Sequence, residues 1–230
     1  MSKKFLKAGI LIGILVVPAF IFIFLDTFGD NKFDLPYYFP ELNESGNPIV
    51  IDGDTLFHQI KDFTLINQTG DSVSLVSLDS NIKVVNFFFT RCGTICPIIS
   101  GQVKRVADNF SKEENLNFLS ITVDPEYDRV SVLKKYSESM DSYTENWNFL
   151  TGDKAYIYDL AIKNFKLPVA DASVYDSTIV DVDDAFIHSD KVLLLDSKNF
   201  IRGIYEGTDK DDMARLLVEI KVLLDGLEKK

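Results

Sequence analysis

Residues 83–89, Lys-Val-Val-Asn-Phe-Phe-Phe, are followed directly by residues 90–97, Thr-Arg-Cys-Gly-Thr-Ile-Cys-Pro. The first stretch is almost continuously apolar, β-branched or aromatic, which is typical of a central strand buried on both faces. The second stretch is typical of a loop that ends in a helix, because the missing N–H of a proline costs nothing in the first helical turn. The sequence therefore predicts a strand, a loop with two cysteines and a helix, in that order.

Strands and helices alternate on either side of this segment. A hairpin is predicted over residues 63–75, where two alternating runs flank a turn. Beyond the helix that starts at Pro97 and ends near residue 110, apolar periodicity predicts a strand at 116–123, a helix at 130–140, a strand at 147–150, a helix at 154–165, a hairpin over 191–205 and a helix at about 209–227. This order indicates a thioredoxin-like α/β fold with an N-terminal β-hairpin extension.

The N-terminal part of the 230-residue chain differs from the rest. Three lysines within residues 1–7 precede an uncharged run, residues 8–25, whose length is the shortest that a transmembrane helix needs. No typical cleavage site follows the run, so we expect an uncleaved anchor, with a signal peptide as the alternative. The lysines predict a cytoplasmic N-terminus and a C-terminal domain on the outer, periplasmic or extracytoplasmic face. Residues 26–57, with scattered Gly and Pro, are expected to form a tether, and residues 58–230 the folded domain.

The charge of the chain argues against nucleic acid as a partner. The net charge is −11 and the sequence pI is about 4.6. Phosphate binding needs a basic stripe, which this sequence lacks.

The only two cysteines, Cys92 and Cys96, lie in the loop described above. A disulfide across so short a loop barely constrains the unfolded chain, so a redox or metal-binding role is favoured over a structural one. Cys96 falls next to a helix N-terminus and Arg91 adds a positive neighbour, and we expect both to lower the thiol pKa. Three residues separate the cysteines, where thioredoxins have two, and this spacing allows either a disulfide or two sulfurs on one metal.

Two thiolates favour Cu(I) or zinc, and a third ligand would complete the site. The only histidines are His58 and His188. His188 precedes the predicted strand at 191–195, and in a thioredoxin topology the loop before this strand lies beside the cysteines. We therefore predict a metal site of Cys92, Cys96 and His188, and a structural or exposed role for His58. Two nearby acids, residues 183 and 184, could orient His188 or simply belong to a solvated loop.

The sequence resembles the Sco (SenC) family from about residue 58 to the end. The resemblance rests on four motifs in order: Phe-Phe-Phe-Thr at 87–90 with the cysteine pair and Pro97, Val-Asp-Pro-Glu-Tyr-Asp at 123–128, Trp-Asn-Phe-Leu-Thr-Gly-Asp at 147–153, and His188. It implies a copper chaperone for the CuA site of cytochrome c oxidase, with Cys92, Cys96 and His188 as copper ligands. The chain departs from the commonest family loop at Arg91 and Gly93, and neither departure removes a ligand.

Family membership leaves two activities open. A metallochaperone would hand copper to the CuA-bearing subunit without turning over a substrate, so it would not be an enzyme. The alternative is a thiol-disulfide oxidoreductase that uses Cys92 and Cys96 as a redox-active pair to reduce the cysteines of the target site. A thiol peroxidase on the same scaffold is a weaker alternative. The sequence identifies neither a copper donor nor a thiol reductant.

Overall fold

The computed structural model describes residues 12–14, 16–24, 34–79, 81–141, 146–167, 170–171, 186–187 and 189–228. The chain divides into two compact units, residues 1–34 and 35–230. In the first unit, residues 12–14 and 16–24 are helical, and the remaining residues of the predicted span 8–25 lie outside the described residues. No helix within the described ranges is long and apolar enough to cross a membrane. The membrane anchor therefore stays a prediction.

The second unit contains eleven strands and four α-helices among its described residues. The strands are β1 (Val50–Ile51), β2 (Asp54–Thr55), β3 (Thr64–Ile66), β4 (Ser72–Ser74), β5 (Ile82–Phe88), β6 (Leu116–Thr122), β7 (Trp147–Leu150), β8 (Ala170–Asp171), β9 (Phe186–Ile187), β10 (Lys191–Leu195) and β11 (Ile201–Glu206). The helices are α1 (Cys96–Asn109), α2 (Val130–Met140), α3 (Lys154–Asp159) and α4 (Lys210–Glu228).

A five-stranded sheet in the order β11-β10-β5-β6-β7 forms the centre of this unit. The strands β5, β6 and β7 are parallel, whereas β10 runs antiparallel to both β5 and β11. All seven residues of β5 are buried, as expected for a central strand with both faces covered. The alternating order and the boundaries predicted from periodicity are confirmed to within a residue or two for most elements.

The predicted helix at 154–165 is not α-helical throughout. The α-helix α3 begins after Asp153, whose carboxylate accepts a hydrogen bond from the backbone N–H of Tyr156 at 2.9 Å, and it continues as a π-helical turn, Leu160–Asn164. This turn ends at Asn164, whose side-chain amide exchanges two hydrogen bonds with the backbone of Lys61, at 2.9 and 3.0 Å. The π-helical turn thus fastens the segment before β3 to the domain.

Part of the predicted tether belongs to the folded unit. Arg202 is a buried residue, 4% exposed. Its guanidinium donates to the carbonyl oxygens of Leu35 and Pro36 and lies 3.8 Å from the ring centre of Tyr37. The backbone N–H of Tyr38 donates to the carbonyl of Ile201 in β11 at 3.1 Å. The chain therefore joins the domain at about residue 35, well before residue 58.

Candidate metal and redox site

The two cysteines lie where the fold delivers the end of the central strand. β5 ends at Phe88 and α1 begins at Cys96, so Cys92 lies in the connecting loop. Cys92 is 6% exposed and Cys96 is 1% exposed, and no disulfide joins them. The backbone N–H of Cys96 donates to Cys92 Sγ at 3.4 Å, and Thr94 Oγ1 lies 3.6 Å from the same sulfur. The predicted pair is therefore together, in the reduced state, at the N-terminus of a helix.

This arrangement allows two kinds of chemistry. The thiolate form of a cysteine is both the nucleophile of disulfide exchange and the ligand of soft metals. Cys92 is the more exposed residue of the two, although both are buried. Cys96 lies deeper and is suited to resolve a mixed disulfide or to complete a metal site from inside.

A buried carboxylate holds the backbone that leads into the loop. Asp128 accepts hydrogen bonds from the backbone N–H of Thr90 at 3.0 Å, from the Thr90 hydroxyl, and from the Thr122 hydroxyl at 2.5 Å. Asp128 is completely buried. β5 ends at Phe88, two residues before Thr90, and β6 ends at Thr122. The Asp128 side chain therefore joins the ends of two parallel strands beside the cysteines.

Burial raises the pKa of Asp128, while the hydrogen bonds from Thr122 and Thr90 act in the opposite direction and the charge of Asp124 adds to the rise. The net direction is upward. Desolvation of the carboxylate is therefore the larger effect at this position.

Arg91 makes a second set of contacts next to Cys92. Its Nε and Nη2 both donate to Asp124 Oδ2, at 3.1 and 2.5 Å, and its guanidinium carbon lies 4.3 Å from the ring centre of Tyr127. The Asp124 side chain is 4% exposed, whereas that of Arg91 is 39% exposed. The sequence predicted that Arg91 would act as a positive neighbour of the thiols, but in the structure its charge is paired with Asp124.

Tyr136 is an aromatic residue close to the cysteines. The Tyr136 hydroxyl donates to Ser100 Oγ at 2.9 Å, and its ring lies 5.3 Å from that of Phe88 and 5.6 Å from that of Phe149. Burial raises the pKa of Tyr136, and the nearby cysteines add to the rise. Tyr136 is therefore a neutral hydrogen-bond donor that packs close to the site.

The structure describes His58 but not His188. His188 lies outside the described residues, as do residues 183 and 184, so the predicted third ligand stays a prediction. His58 is 8% exposed, with Nδ1 at 3.0 Å from Glu41 Oε1 and Nε2 at 2.8 Å from the carbonyl oxygen of Asn164. Both ring nitrogens are thus occupied by structural contacts, as expected. Within the described ranges, no group of three or more His, Cys, Asp or Glu side chains could hold a metal ion.

The described residues just before β10 lie near the start of α1. Val192 pairs with Asn86, so the N-terminal end of β10 lies beside the C-terminal end of β5. A Cβ placed on Gly207 would lie 2.9 Å from Ile99 Cγ2 and 3.0 Å from the carbonyl oxygen of Asp190. Gly207 therefore lies between the first turn of α1 and the residues that lead into β10, which brings Asp190 close to the helix that carries Cys96.

The fold and the paired thiols define a thioredoxin-like dithiol protein of the α/β class. The sequence matches the SCO1/SenC family over residues 53–224, three quarters of the chain. The chain therefore belongs to the SCO1/SenC family, which confirms the resemblance found in the sequence.

Individual relatives agree with this assignment. The SCO1 protein homolog of Bacillus subtilis is 29% identical over 170 residues, which cover 73% of this chain and 84% of the relative. The structure of BsSco, described as a member of the Sco family of cytochrome c oxidase assembly proteins with a disulfide switch, is 28% identical, with a TM-score of 0.60 over 71% of this chain and 92% of that one. Bradyrhizobium japonicum ScoI with copper bound shares the fold, with 23% identity and a TM-score of 0.57 over 72% and 99% of the two chains.

Sequence reasoning missed the supporting residues of the site. The motif at 123–128 contributes to the family resemblance, and Asp124 and Pro125 are expected from the sequence to end their strand near the site, but the sequence assigned its acids no chemistry. In the structure Asp124 holds Arg91 and Asp128 holds Thr90. The available signal was their position just after a predicted strand that runs parallel to β5, because the carboxyl ends of neighbouring parallel strands meet at one edge of a sheet.

Proposed function

We propose that this chain binds one copper ion through Cys92, Cys96 and His188 and transfers it to the CuA site of cytochrome c oxidase. Family membership supports copper chemistry, since a relative of the same fold, ScoI of Bradyrhizobium japonicum, has been solved with copper bound. The oxidase as target is supported by BsSco, which is described as an oxidase assembly protein. The proposal adds the three ligands and the transfer to these broader findings.

The observation that carries the proposal is the pair of reduced, buried thiols at the end of β5. Two thiol ligands four residues apart at a helix N-terminus suit a soft cation such as Cu(I). The residues that lead into β10 approach the start of α1 at Gly207, and His188 immediately precedes Ser189 in the sequence. This approach supports His188, rather than His58, as the third ligand.

In this function the protein holds copper and releases it by ligand exchange. Copper is the cargo, and the chain supplies two thiolates and one imidazole that a partner's ligands displace in turn. Cys92, the more exposed residue of the pair, is suited to be exchanged first, while Cys96 keeps the ion bound from within. The supports at Asp128 and Arg91 fix the backbone before Cys92, so the cost of ordering the loop is already met before copper binds.

A second candidate function is reduction of the target's cysteines, favoured by the unequal exposure of the two cysteine residues. The Cys92 thiolate would attack a disulfide of the partner, forming a mixed disulfide and releasing one partner thiolate. The Cys96 thiolate would then attack Cys92 Sγ, releasing the second partner thiolate and leaving a Cys92–Cys96 disulfide. Two electrons pass to the partner, and an external thiol reductant must restore the pair.

The proposed location is the outer face of the cell membrane. Residues 8–25 would anchor the chain as a single transmembrane span, with residues 1–7 in the cytoplasm and the domain on the side where an oxidase exposes its CuA subunit. The basic start and the uncharged run of the sequence support this arrangement. Digestion of intact cells with a membrane-impermeant protease tests this location. The protease should degrade the domain and leave residues 1–7 protected.

Anaerobic Cu(I) titration of the full chain in detergent tests the proposed ligands. Wild type should bind one equivalent, and Cys92→Ala, Cys96→Ala and His188→Ala should each weaken binding by at least about a hundredfold, as expected when one of three ligands is lost. His58→Ala is the matched control, because it removes the only other imidazole. Binding by His188→Ala with the affinity of wild type would exclude His188 from the site.

Disulfide exchange separates the two functions. A protein that reduces its target should transfer electrons to an oxidised CuA-site peptide at a rate that depends on Cys92 and not on His188. A copper chaperone should deliver copper to the reduced peptide only when His188 is intact. Failure of both transfers, with copper bound stoichiometrically, would point away from the oxidase as the target.

A further inference from the structure

We propose that Arg91 is a positioning residue that, together with Asp124 and Tyr127, clamps the loop in its reduced, metal-binding shape. These three residues are called the Arg91 clamp below. The proposal deepens the proposed function, because it assigns the control of that same cysteine pair. It rests on contacts between the loop and the turn that follows β6.

The geometry of the clamp fixes the orientation of the Arg91 side chain. Nε and Nη2 converge on a single oxygen of Asp124, at 3.1 and 2.5 Å, while the guanidinium plane faces the Tyr127 ring at 4.3 Å. A planar guanidinium can donate and stack at the same time, which an ammonium group cannot do. Two independent contacts therefore hold one side chain, and the backbone of Arg91 adjoins Cys92.

The burial of Asp124 makes the ion pair stronger than an ordinary surface pair. Its side chain is 4% exposed, its backbone N–H donates to Thr122 Oγ1 at 3.0 Å, and its carbonyl oxygen accepts a hydrogen bond from the backbone N–H of Asp128 at 2.8 Å. The acid is thus held by the turn that follows β6, and the more exposed Arg91 pairs with it. An exposed Arg–carboxylate pair, in which the acid is neither buried nor hydrogen-bonded through its backbone, contributes little to stability.

The clamp holds one side of the loop only. Asp124 holds Arg91, and Asp128 holds the preceding Thr90, so the residues just before the first cysteine are fixed. Gly93 lies between the cysteines, and glycine has the greatest backbone freedom of any residue type. Formation of a Cys92–Cys96 disulfide brings the sulfurs to about 2.0 Å, and in this proposal the loop changes shape as they close. A clamp that favours the present loop therefore favours the dithiol over the disulfide.

A direct electrostatic effect of Arg91 on the thiolates predicts a different pattern. If charge alone mattered, Arg91→Ala would destabilise the thiolates and Asp124→Asn would stabilise them, so the two variants would shift the dithiol–disulfide equilibrium in opposite directions. If the clamp matters, both variants shift it toward the disulfide. The double variant should then match either single variant, because each one already opens the clamp.

The test is equilibration of the metal-free full chain, in detergent, with glutathione buffers. One oxidised glutathione is reduced to two glutathione molecules as the Cys92 and Cys96 thiols lose two electrons and two protons to form a disulfide. We expect Arg91→Ala and Asp124→Asn each to raise the equilibrium constant for oxidation about three- to tenfold, where tenfold equals about 30 mV in the two-electron potential. Arg91→Lys should give an intermediate shift.

Glu126→Gln is the matched control, because it removes one negative charge from the same turn at a side chain that is 76% exposed. It should leave the equilibrium unchanged. Opposite shifts for Arg91→Ala and Asp124→Asn, additive shifts in the double variant, or no shift would each overturn the proposal, provided that thermal unfolding shows the variants folded. Since no copper is present, a wild type that fails to bind copper would refute the proposed function and leave this test valid.

Discussion

Substitution of Asp128 by alanine should destabilise the domain through the loop that carries the cysteines. The change leaves three donors without their acceptor, namely the N–H and the hydroxyl of the half-buried Thr90 and the hydroxyl of the buried Thr122. A buried donor that loses its partner costs about 1–3 kcal/mol. The two hydroxyls can rotate toward other acceptors, and the cost of burying the carboxyl disappears. We therefore expect a net loss of about 2–4 kcal/mol in the free energy of unfolding.

Urea denaturation of the reduced, metal-free full chain in detergent measures this loss. The single tryptophan, Trp147, is 4% exposed in the central sheet and reports unfolding by fluorescence. Asp128→Asn keeps one acceptor oxygen, so it should lose about half as much. Glu126→Gln, in the same turn, should stay within about 0.5 kcal/mol of wild type. An Asp128→Ala variant as stable as wild type would refute the view that this carboxyl joins the two strand ends.

Three further predictions concern Gly203, Gly207 and the titration of Asp128. Gly203→Ala should cost about 3 kcal/mol or more of unfolding free energy in the same assay, since a Cβ there would lie 2.1 Å from the Tyr205 hydroxyl of a fully buried ring. Gly207→Ala, which pushes against Ile99 and the residues before β10, should weaken copper binding several-fold in the titration, and unchanged affinity would argue against a contribution from that side. Burial raises the pKa of Asp128, so the folded chain keeps this proton to higher pH than the unfolded chain. The stability of wild type relative to Asp128→Asn should therefore fall as pH rises from the ordinary pKa of 3.8 through the raised value, and then level off; a rise over that window would contradict the assignment.

The main elements of the fold could be predicted because their residue patterns are strong. β5 is buried at all seven positions, and its continuous apolar run has no other stable place than the middle of a covered sheet. The helix α2 was predicted with the observed bounds, Val130–Met140, and the strand β7 with the bounds Trp147–Leu150. For α2, burial of one face requires the helical period that the sequence displays.

Short elements and irregular turns could not be predicted in the same way. The strands β1 and β2 contain two residues each, too few to show a period, so their segment was predicted to be a tether. The π-helical turn Leu160–Asn164 has the same apolar pattern as the helix that it extends. What fixes it is the contact of Asn164 with Lys61, about a hundred residues away, and no local pattern reveals such a contact.

The contacts of Arg91 depend on strand register. Phe88 pairs with Thr122, so the two parallel strands end side by side, and the residues that follow each strand meet. Arg91 then reaches Asp124, 33 positions further along the chain. Adjacency in the sequence placed the charge of Arg91 beside Cys92, but the side chain turns toward the next strand's end. Charge effects inferred from sequence neighbours alone are therefore unsafe wherever a buried acid lies within reach.

The reactive groups of this site and its supports differ in how far a sequence can identify them. Soft-metal and thiol chemistry restrict the candidates to two cysteines and two histidines. Topology favours His188 over His58, and that choice stays a prediction. The supports, by contrast, are carboxylates, and the chain has 35 of them. Asp124 and Asp128 are distinguished from the others by burial and by the donors that surround them, both of which exist only in the folded chain.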